Sequence, residues 1–374
     1  MATGGFWKVS LAEIAEKRSA LMPNQEKTNQ EKPATQKIPY KSYSSSLVEK
    51  FGHKVFRVGV DAGFSCPNRC GLKGTNGCVY CDSQGARAAY LRTEESGFRH
   101  DSDFEKTIDL EKGRSAFKEE SVYLDEQTKK RIRDQIERGR NFIARRYKVE
   151  HFALYLQSFS NTFAPVEKLK EIYDFALSGY DWEGFIISTR PDCITDENLG
   201  LISTYTQKFW PVCIELGLQS GNDGILKAMQ RGHDTACFLE ACKMVKEHNL
   251  ELCVHVLTGF PGEGKAELDQ TIDVINKVHP NAIKIHNLNI CSGTALYDQY
   301  LQGEVTAPCM TRHIANTIYI LRRIPSDIVI ERLVCETPAH RLASPRAFAD
   351  KNTFLRKLEA QMNKMGAVQG DLYR

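Results

Sequence analysis

The chain of 374 residues contains no uninterrupted apolar run of the roughly 18 residues that a membrane-spanning helix needs. Its opening, MATGGFWKVSLAEIAEKRSA, lacks the short apolar core and small-residue cleavage site of a secretory signal. Charge of one sign is not in excess: 50 Lys and Arg against 47 Asp and Glu leave a net charge of +3. That balance does not argue for a general nucleic-acid binder, and it leaves room for a local basic groove. No GxGxxG follows an early strand and no GxxxxGK[ST] occurs, so neither a dinucleotide-binding fold nor a P-loop nucleotidase is indicated. Twelve cysteines in so long a chain fall short of the density of a disulfide scaffold. Eight of them (Cys193, Cys213, Cys237, Cys242, Cys253, Cys291, Cys309 and Cys335) sit mostly in apolar or helical surroundings and read as small buried hydrophobes. Together these features place the protein in a reducing cytoplasm, away from membranes.

The other four cysteines are concentrated. Asp61–Asp82 reads DAGFSCPNRCGLKGTNGCVYCD and holds Cys66, Cys70, Cys78 and Cys81 among four glycines. The apolar, β-branched run KVFRVGV precedes it and reads as a buried strand. Glycines allow the tight turns and close backbone approach that wrapping a metal centre requires. Soft thiolates select zinc or an iron–sulfur cluster over hard cations. A C-x3-C…C-x2-C spacing is compatible with four thiolates on zinc, and three of the four would serve a cluster.

Around this loop the chain divides into three. Residues 1–45 are rich in Lys, Glu, Gln, Ser, Thr and Pro and read as a loosely ordered leader. Order is expected from about Ser46, and residues 86–120 read as a charged excursion outside the core. A long amphipathic helix is predicted over Asp125–Arg146. Strand then helix repeats from there: strands 151–157, 183–188, 212–218, 251–259 and 282–290 alternate with helices 166–178, 196–207, 223–229, 235–248, 265–278 and 312–321. A last possible strand lies at 327–333 and a closing helix at 346–364. Apolar strands alternating with helices imply a parallel sheet clothed in helices. The pattern predicts a partial (β/α)6-type TIM barrel, a core over 46–300, and a C-terminal extension over 301–374.

In such a barrel the chemistry lies at the C-terminal ends of the strands. The polar residues read there are the loop cysteines, then Gln157 with Ser160, Asn161 and Thr162, then Thr189, Arg190 and Asp192. Glu215 and Gln219 come next, followed by His255 with GFPGE, and last His286 and Asn289. Any barrel carries polar residues where strands meet loops, so only the ensemble points to a central cavity.

The segments DAGFSCPNR…GTNGCVYC, LQSFSNTFAP, ISTRPDCI, ELGLQSGND, RGHD, VHVLTGFPGE and IKIHNLNICSGTAL, in this order over about residues 50–300, resemble the radical S-adenosylmethionine (SAM) superfamily. More narrowly they are similar to a bacterial-type group whose catalytic domain is like that of the Elongator catalytic subunit. The resemblance implies a [4Fe–4S] cluster on three cysteines in a long C-x11-C-x2-C spacing, which assigns Cys66, Cys78 and Cys81. Cys70 departs from the family pattern, where aspartate is usual. As cofactor contacts the resemblance implies Tyr80 beside adenine, Gln157 and Asn161 near the methionyl amino group, and Gln219 and Arg231 at the ribose and methionyl carboxylate. His255 stands where a porphyrinogen-oxidising relative has an acidic ribose contact, and Gly259 and Pro261 lie in the turn beneath adenine. The bland alternatives are loop packing for Tyr80 and a helix-end surface position for Arg231. His286 is the candidate substrate-facing residue.

The chemistry so implied is reductive cleavage of SAM to methionine and a 5′-deoxyadenosyl radical that abstracts hydrogen from substrate. It requires an external one-electron reductant such as flavodoxin or ferredoxin. The likeness to Elongator makes tRNA a candidate substrate, and the basic stretches KKRIRDQIERGR and ARRYK within 129–148 offer phosphate contacts. The solvated face of a long helix explains the same charges. No acetyl-coenzyme A domain is expected in the remaining residues after 300. The rival class is a zinc- or cluster-stabilised barrel serving as an RNA-binding scaffold.

Overall fold

Seven parallel strands, each apolar enough to be covered on its outer face, form the framework of the computed structural model, which describes residues 38–73, 77–82, 90–91 and 124–374. Most of the leader and nearly all of the charged excursion lie outside the described residues. The strands are β1 (Val55–Val60), β2 (His151–Leu156), β3 (Gly184–Thr189), β4 (Val212–Gln219), β5 (Glu251–Thr258) and β6 (Ala282–Asn287). They pair in chain order. The seventh strand, Val329–Arg332, pairs with β6 and comes from the segment read as a last possible strand. The result is a half-barrel with one strand more than the six-unit reading, and it meets the expected fold class.

Helix α1 (Tyr43–Phe51) precedes β1, and between the strands run α2 (Glu126–Tyr147), α3 (Val166–Leu177), α4 (Asp196–Ser203), α5 (Asp223–Ala228), α6 (Thr235–Glu247) and α7 (Lys265–Val278). Beyond β6 come the short strand β7 (Ile290–Cys291), α8 (Ala295–Leu301), α9 (Met310–Leu321), β8 (the Val329–Arg332 strand), β9 (Leu342–Ser344) and α10 (Lys351–Met365). β7 and β9 pair antiparallel as a separate ribbon. No helix among the described residues is long and apolar enough to cross a membrane.

Alternation along each strand sorts the side chains into two worlds. In β4, Val212, Ile214, Leu216 and Leu218 join the large core beneath the helices, while Cys213, Glu215, Gly217 and Gln219 alternate with them and face the barrel interior. The lowest interior layer is apolar: Val55, Ala153, Ile186, Cys213, Cys253 and Ala282 pack under Leu47 of α1, which closes that end. Helix α1 begins at Tyr43, capped by Ser42, three residues before the expected start of order.

Above that layer lies a cluster of charge. Arg57 donates to Glu215 at 2.5 Å and to Glu331 at 2.6 Å, and Lys284 donates to Glu215 at 2.5 Å. His255 meets the other Glu215 oxygen at 3.0 Å, and Lys284 lies 3.4 Å from Glu331. Glu215 is fully buried. Two cations and two carboxylates thus neutralise one another inside the barrel. Glu215 and His255, read from sequence as mouth residues, belong to this interior layer, because each lies three or four residues short of its strand's end.

Candidate functional site

The cysteine loop is held in place from both ends. Gln135 of α2, fully buried, accepts from the Asp61 amide and donates to the Asp61 carbonyl, both at 2.9 Å, which fixes where β1 empties into the loop. At the far end the Arg341 guanidinium, just before β9, pairs with Asp82 at 2.9 Å, and the Leu296 amide donates to the Val79 carbonyl at 2.8 Å. Within the loop the Cys70 amide donates to the Cys66 carbonyl at 3.1 Å, and the Cys81 amide to the Cys78 carbonyl at 2.9 Å.

The four thiols do not share one environment. Cys70 packs with Phe163, Cys193 and Leu72, and its Sγ lies 3.6 Å from the Pro67 carbonyl. Cys78 is addressed by cations and amides: Arg231 Nη1 lies 3.6 Å from its Sγ and Asn68 Nδ2 at 3.3 Å. Burial alone would push the Cys78 thiol up, but the Arg231 and Arg190 guanidiniums and these hydrogen bonds bring it below the ordinary thiol range. Burial and the neighbouring Cys78 push Cys81 up to about 12, with Cys66 adding to the rise and Arg69 opposing it. Cys81 thus feels the charge of both Cys78 and Cys66, as a cysteine of a shared centre would. Among the described residues, groups of three ligand atoms within 4.8 Å of one another occur at His53–His151–Glu183 and Glu215–Cys253–His255, and neither includes a loop cysteine. A single zinc ion would draw thiolates to roughly 3.8 Å of one another. The loop as folded is more open than that.

Two arginines frame the site. Arg231 is 8 % exposed, so the helix-end surface position is not where it sits; its Nη2 donates to the Gly217 carbonyl at 2.9 Å. Arg190, at the end of β3, grips Asp192 through two hydrogen bonds of 2.8 and 3.1 Å and donates to the Arg231 carbonyl at 2.7 Å. Lys73 also pairs with Asp192, at 3.1 Å, and the two cations hold that carboxyl down at about 2 against its burial. Sequence alone places Arg190 only among the polar residues at the strand ends, and it does not single out Asn68. Both are lone polar residues in loops, and only the fold shows that they back Cys78 and Arg231.

Several buried polar atoms around this mouth have no hydrogen-bond partner among the described residues: Gln157 Nε2, Asn161 Oδ1, Arg190 Nη1, Arg231 Nε and His286 Nε2. Each costs on the order of 1–3 kcal/mol when left unpaired in the interior, so their gathering here fits a polar ligand that supplies the missing partners. Backbone strain gathers here too. Gln219 has φ +72°, Ser158 +73°, Phe159 +56° and Gln230 +50°, conformations that non-glycine residues hold at a cost and that concentrate at binding sites. Gln157 lies so close over β1 that a Cβ on Gly59 would come within 2.1 Å of its Nε2. Gly232, at φ +75°, leaves room for Asn68, whose Oδ1 would stand 2.7 Å from an added Cβ.

The remaining candidates surround this centre. Tyr80 is half-buried beside Cys78 and Arg231, and its ring lies 5.9 Å from Phe260. Burial, with Cys78 adding to it, raises the Tyr80 phenol above its usual range, so it stays protonated. Gly259, at φ +94°, packs against Pro308 and donates its amide to Glu263 Oε2 at 2.5 Å; Pro261 is half-buried in the same turn. Burial pushes the Glu263 carboxyl up to about 7. His286 lies 5.7 Å from His255, ring to ring, and burial keeps both imidazoles neutral.

Residues 66–275, more than half of the chain, match the family model of the radical SAM superfamily, and residues 280–364 match that of the radical SAM C-terminal domain. The chain belongs to the radical SAM superfamily. An uncharacterised protein of Methanocaldococcus jannaschii is 28 % identical over 332 residues, covering 88 % of this chain and 91 % of its own length. Protein YhcC of Escherichia coli K12 is 27 % identical over 328 residues, 88 % of this chain and 93 % of the relative. The solved structure of the archaeal Methanocaldococcus infernus Elp3 superposes with a TM-score of 0.54 at 19 % identity, covering 64 % of this chain and 59 % of that one, a likeness of fold. Membership makes the protein a radical SAM enzyme and implies an iron–sulfur cluster and SAM as its equipment. The residues fit that equipment: three thiols at one mouth, two arginines behind them, and unpaired polar atoms around the space between.

Proposed function

We propose that Cys66, Cys78 and Cys81 hold a [4Fe–4S] cluster and that the polar rim of Gln157, Asn161, Gln219 and Arg231 binds SAM beside it. When bound, this equipment supplies one-electron cleavage of the sulfonium and a 5′-deoxyadenosyl radical that takes hydrogen from the substrate. The observation that carries the reading is the environment of Cys78, whose sulfur faces Arg231 and Asn68 in a chain of this superfamily. Arg231 keeps that thiol ready to ligate as thiolate, and its free Nε suits a carboxylate, which a permanently charged guanidinium binds well. Arg190 fixes the Arg231 backbone. The Tyr80 ring and the Gly259–Pro261 turn supply the adenine side, and the interior charge layer forms the cavity floor, where His255 and His286 face substrate as neutral groups. Electrons come from an external one-electron donor such as flavodoxin or ferredoxin.

For substrate we propose tRNA. The support is partial kinship: a tRNA uridine(34) acetyltransferase of Methanocaldococcus infernus is 29 % identical over 156 residues, 41 % of this chain and 28 % of that protein. The basic helix α2 is a limited phosphate platform, since Arg140 stacks over Phe152 at 4.5 Å and near Tyr180 and Trp182, and Lys129 pairs with Glu126. Anaerobic reconstitution followed by iron, sulfide and zinc analysis tests the cofactor reading. Four iron and four sulfide per chain, with SAM cleaved by a chemical reductant, is the expected result. One tightly held zinc and no sulfide would overturn it. Salt-dependent tRNA retention on filters tests the substrate, and weak, salt-independent retention would point to a small molecule or peptide.

A further inference from the structure

At the opposite end of the barrel from the cysteines, the chain gathers a second set of metal-ligating side chains. His53 lies in the turn between α1 and β1, His151 opens β2, and Glu183 immediately precedes β3. Three adjacent strands therefore begin with one potential ligand each. His53 Nε2 lies 3.1 Å from Glu183 Oε1, and His151 Nδ1 lies 2.8 Å from the same oxygen. The two imidazoles are stacked, with centroids 3.5 Å apart and planes inclined by 23°. The Glu183 backbone is pinned on both sides, its amide donating to the Phe152 carbonyl at 2.8 Å and its carbonyl accepting from the Trp210 amide at 3.0 Å.

We propose that His53, His151 and Glu183 bind one divalent transition-metal ion, zinc by preference. The donor set decides the class: two imidazoles and a carboxylate suit a borderline dication, and zinc takes such ligands at about 2.0–2.2 Å in a tetrahedron. Ligand atoms of that tetrahedron stand roughly 3.3 Å apart, close to the two separations observed, so the side chains need only small rotations to receive the ion. Glu183 is available for it. Among the described residues its side-chain partners are the two imidazoles alone. The other convergent group, Glu215–Cys253–His255, fails this requirement, because Arg57 and Lys284 already occupy the Glu215 carboxylate and would repel a cation. All three ligands at the barrel base are partly exposed, with side chains 36 %, 46 % and 29 % accessible for His53, His151 and Glu183, so the ion has an entry path and keeps a fourth position for water or an external ligand. Bound there, it clips edge strand β1 to β2 and β3 and closes the long chain segments between them.

The test uses the full-length chain carrying Cys66→Ala, Cys78→Ala and Cys81→Ala, so that the loop thiolates cannot take the metal. Zinc chloride is titrated in competition with a chromophoric chelator, and cobalt chloride supplies visible ligand-field bands as a second readout. One equivalent of zinc is expected, with tetrahedral-type cobalt bands. His151→Ala and the isosteric Glu183→Gln should each weaken binding about tenfold or more and abolish the bands. Circular dichroism of the metal-free variants checks that they fold. Should the triple-cysteine background fold poorly, the same comparison is made by difference between cysteine-intact chains with and without Glu183→Gln. Absence of saturable zinc binding, or binding that both variants leave unchanged, overturns the site.

Discussion

Glu215 is the residue on which the interior of the barrel turns, and its neutralisation is the most informative perturbation. One oxygen accepts from Arg57 and Lys284, each at 2.5 Å, and the other meets His255 at 3.0 Å. Burial pushes this carboxyl up, but Lys284, Arg57 and His255 together hold it well below the usual carboxylate range. Glu215→Gln leaves two cations facing Glu331 alone, a net buried positive charge. Removing one member of a buried pair costs on the order of 3–5 kcal/mol, chiefly through the partner left unpaired. Lys284→Met alone strands the opposite charge and should cost a similar amount. The double variant restores neutrality, with Arg57 against Glu331 at 2.6 Å, and should fall short of the sum by about 2–3 kcal/mol. Equilibrium urea unfolding of the metal-free chain measures all four corners of the cycle, with unchanged slopes marking unchanged surface exposure. Additivity within about 0.5 kcal/mol would refute the idea that these charges act as one neutral unit. Because the carboxyl is depressed in the fold, its contribution is complete above the unfolded value of about 4.5 and is lost as pH falls below it.

Four other outcomes follow from the same structure. Cys66→Ala, Cys78→Ala and Cys81→Ala should each abolish the visible chromophore after reconstitution, while Cys70→Ala, whose thiol packs against Phe163 and Cys193, should keep it; the absorption spectrum decides. Arg231→Ala should weaken SAM binding roughly ten- to a hundredfold, as loss of a charged hydrogen bond does, without emptying the cluster, and equilibrium titration of the reconstituted protein reads it. Gly59→Ala drives a methyl to within 2.1 Å of the Gln157 amide and should lower SAM affinity while sparing cluster content, measured on the same sample. Burial raises Glu263 from 4.5 to about 7, so the fold holds a proton that the unfolded chain releases. Its contribution is complete below about 4.5 and is lost as pH rises through 7, so Glu263→Gln should gain on the parent by about 2–3 kcal/mol at pH 8 and by almost nothing at pH 4, measured by urea midpoint.

The regular elements were legible because period and length both spoke. Helix α7 spans Lys265–Val278, as its pattern predicts, and α2 is displaced by one residue because Asp125 is its cap. Ribbon β7–β9 escaped, since two and three residues are too few to establish a period, and the seven-residue helix α8 escaped with it. The cysteine spacing displayed the loop, yet it said nothing of where each thiol points. Cys70 turns to Phe163 and Cys193, residues 93 and 123 positions further along, and that separation is a property of the fold.

The interior charge layer is the instructive omission, because its signal was present in the sequence. KVFRVGV, VCIELGL, AIKIHNLNI and DIVIERL each read as an apolar strand, and each carries a charged residue at a position alternating with its outward apolar set. A lone Arg57 or Glu215 in such a run is ambiguous. Charged residues in four strands of one parallel sheet are not, because a sheet curled into a half-barrel gives their inward faces a single shared destination, and burial there demands partners of opposite sign. Two positive and two negative residues at the inward positions satisfy that demand, as Arg57 and Lys284 against Glu215 and Glu331. The same reasoning separates the two ends of the barrel. Toward the cysteines the chain leaves polar atoms unpaired where a ligand belongs, and at mid-depth it pairs its charges among themselves. The mouth is thus where partners for a ligand are missing, above a layer whose charges largely answer one another.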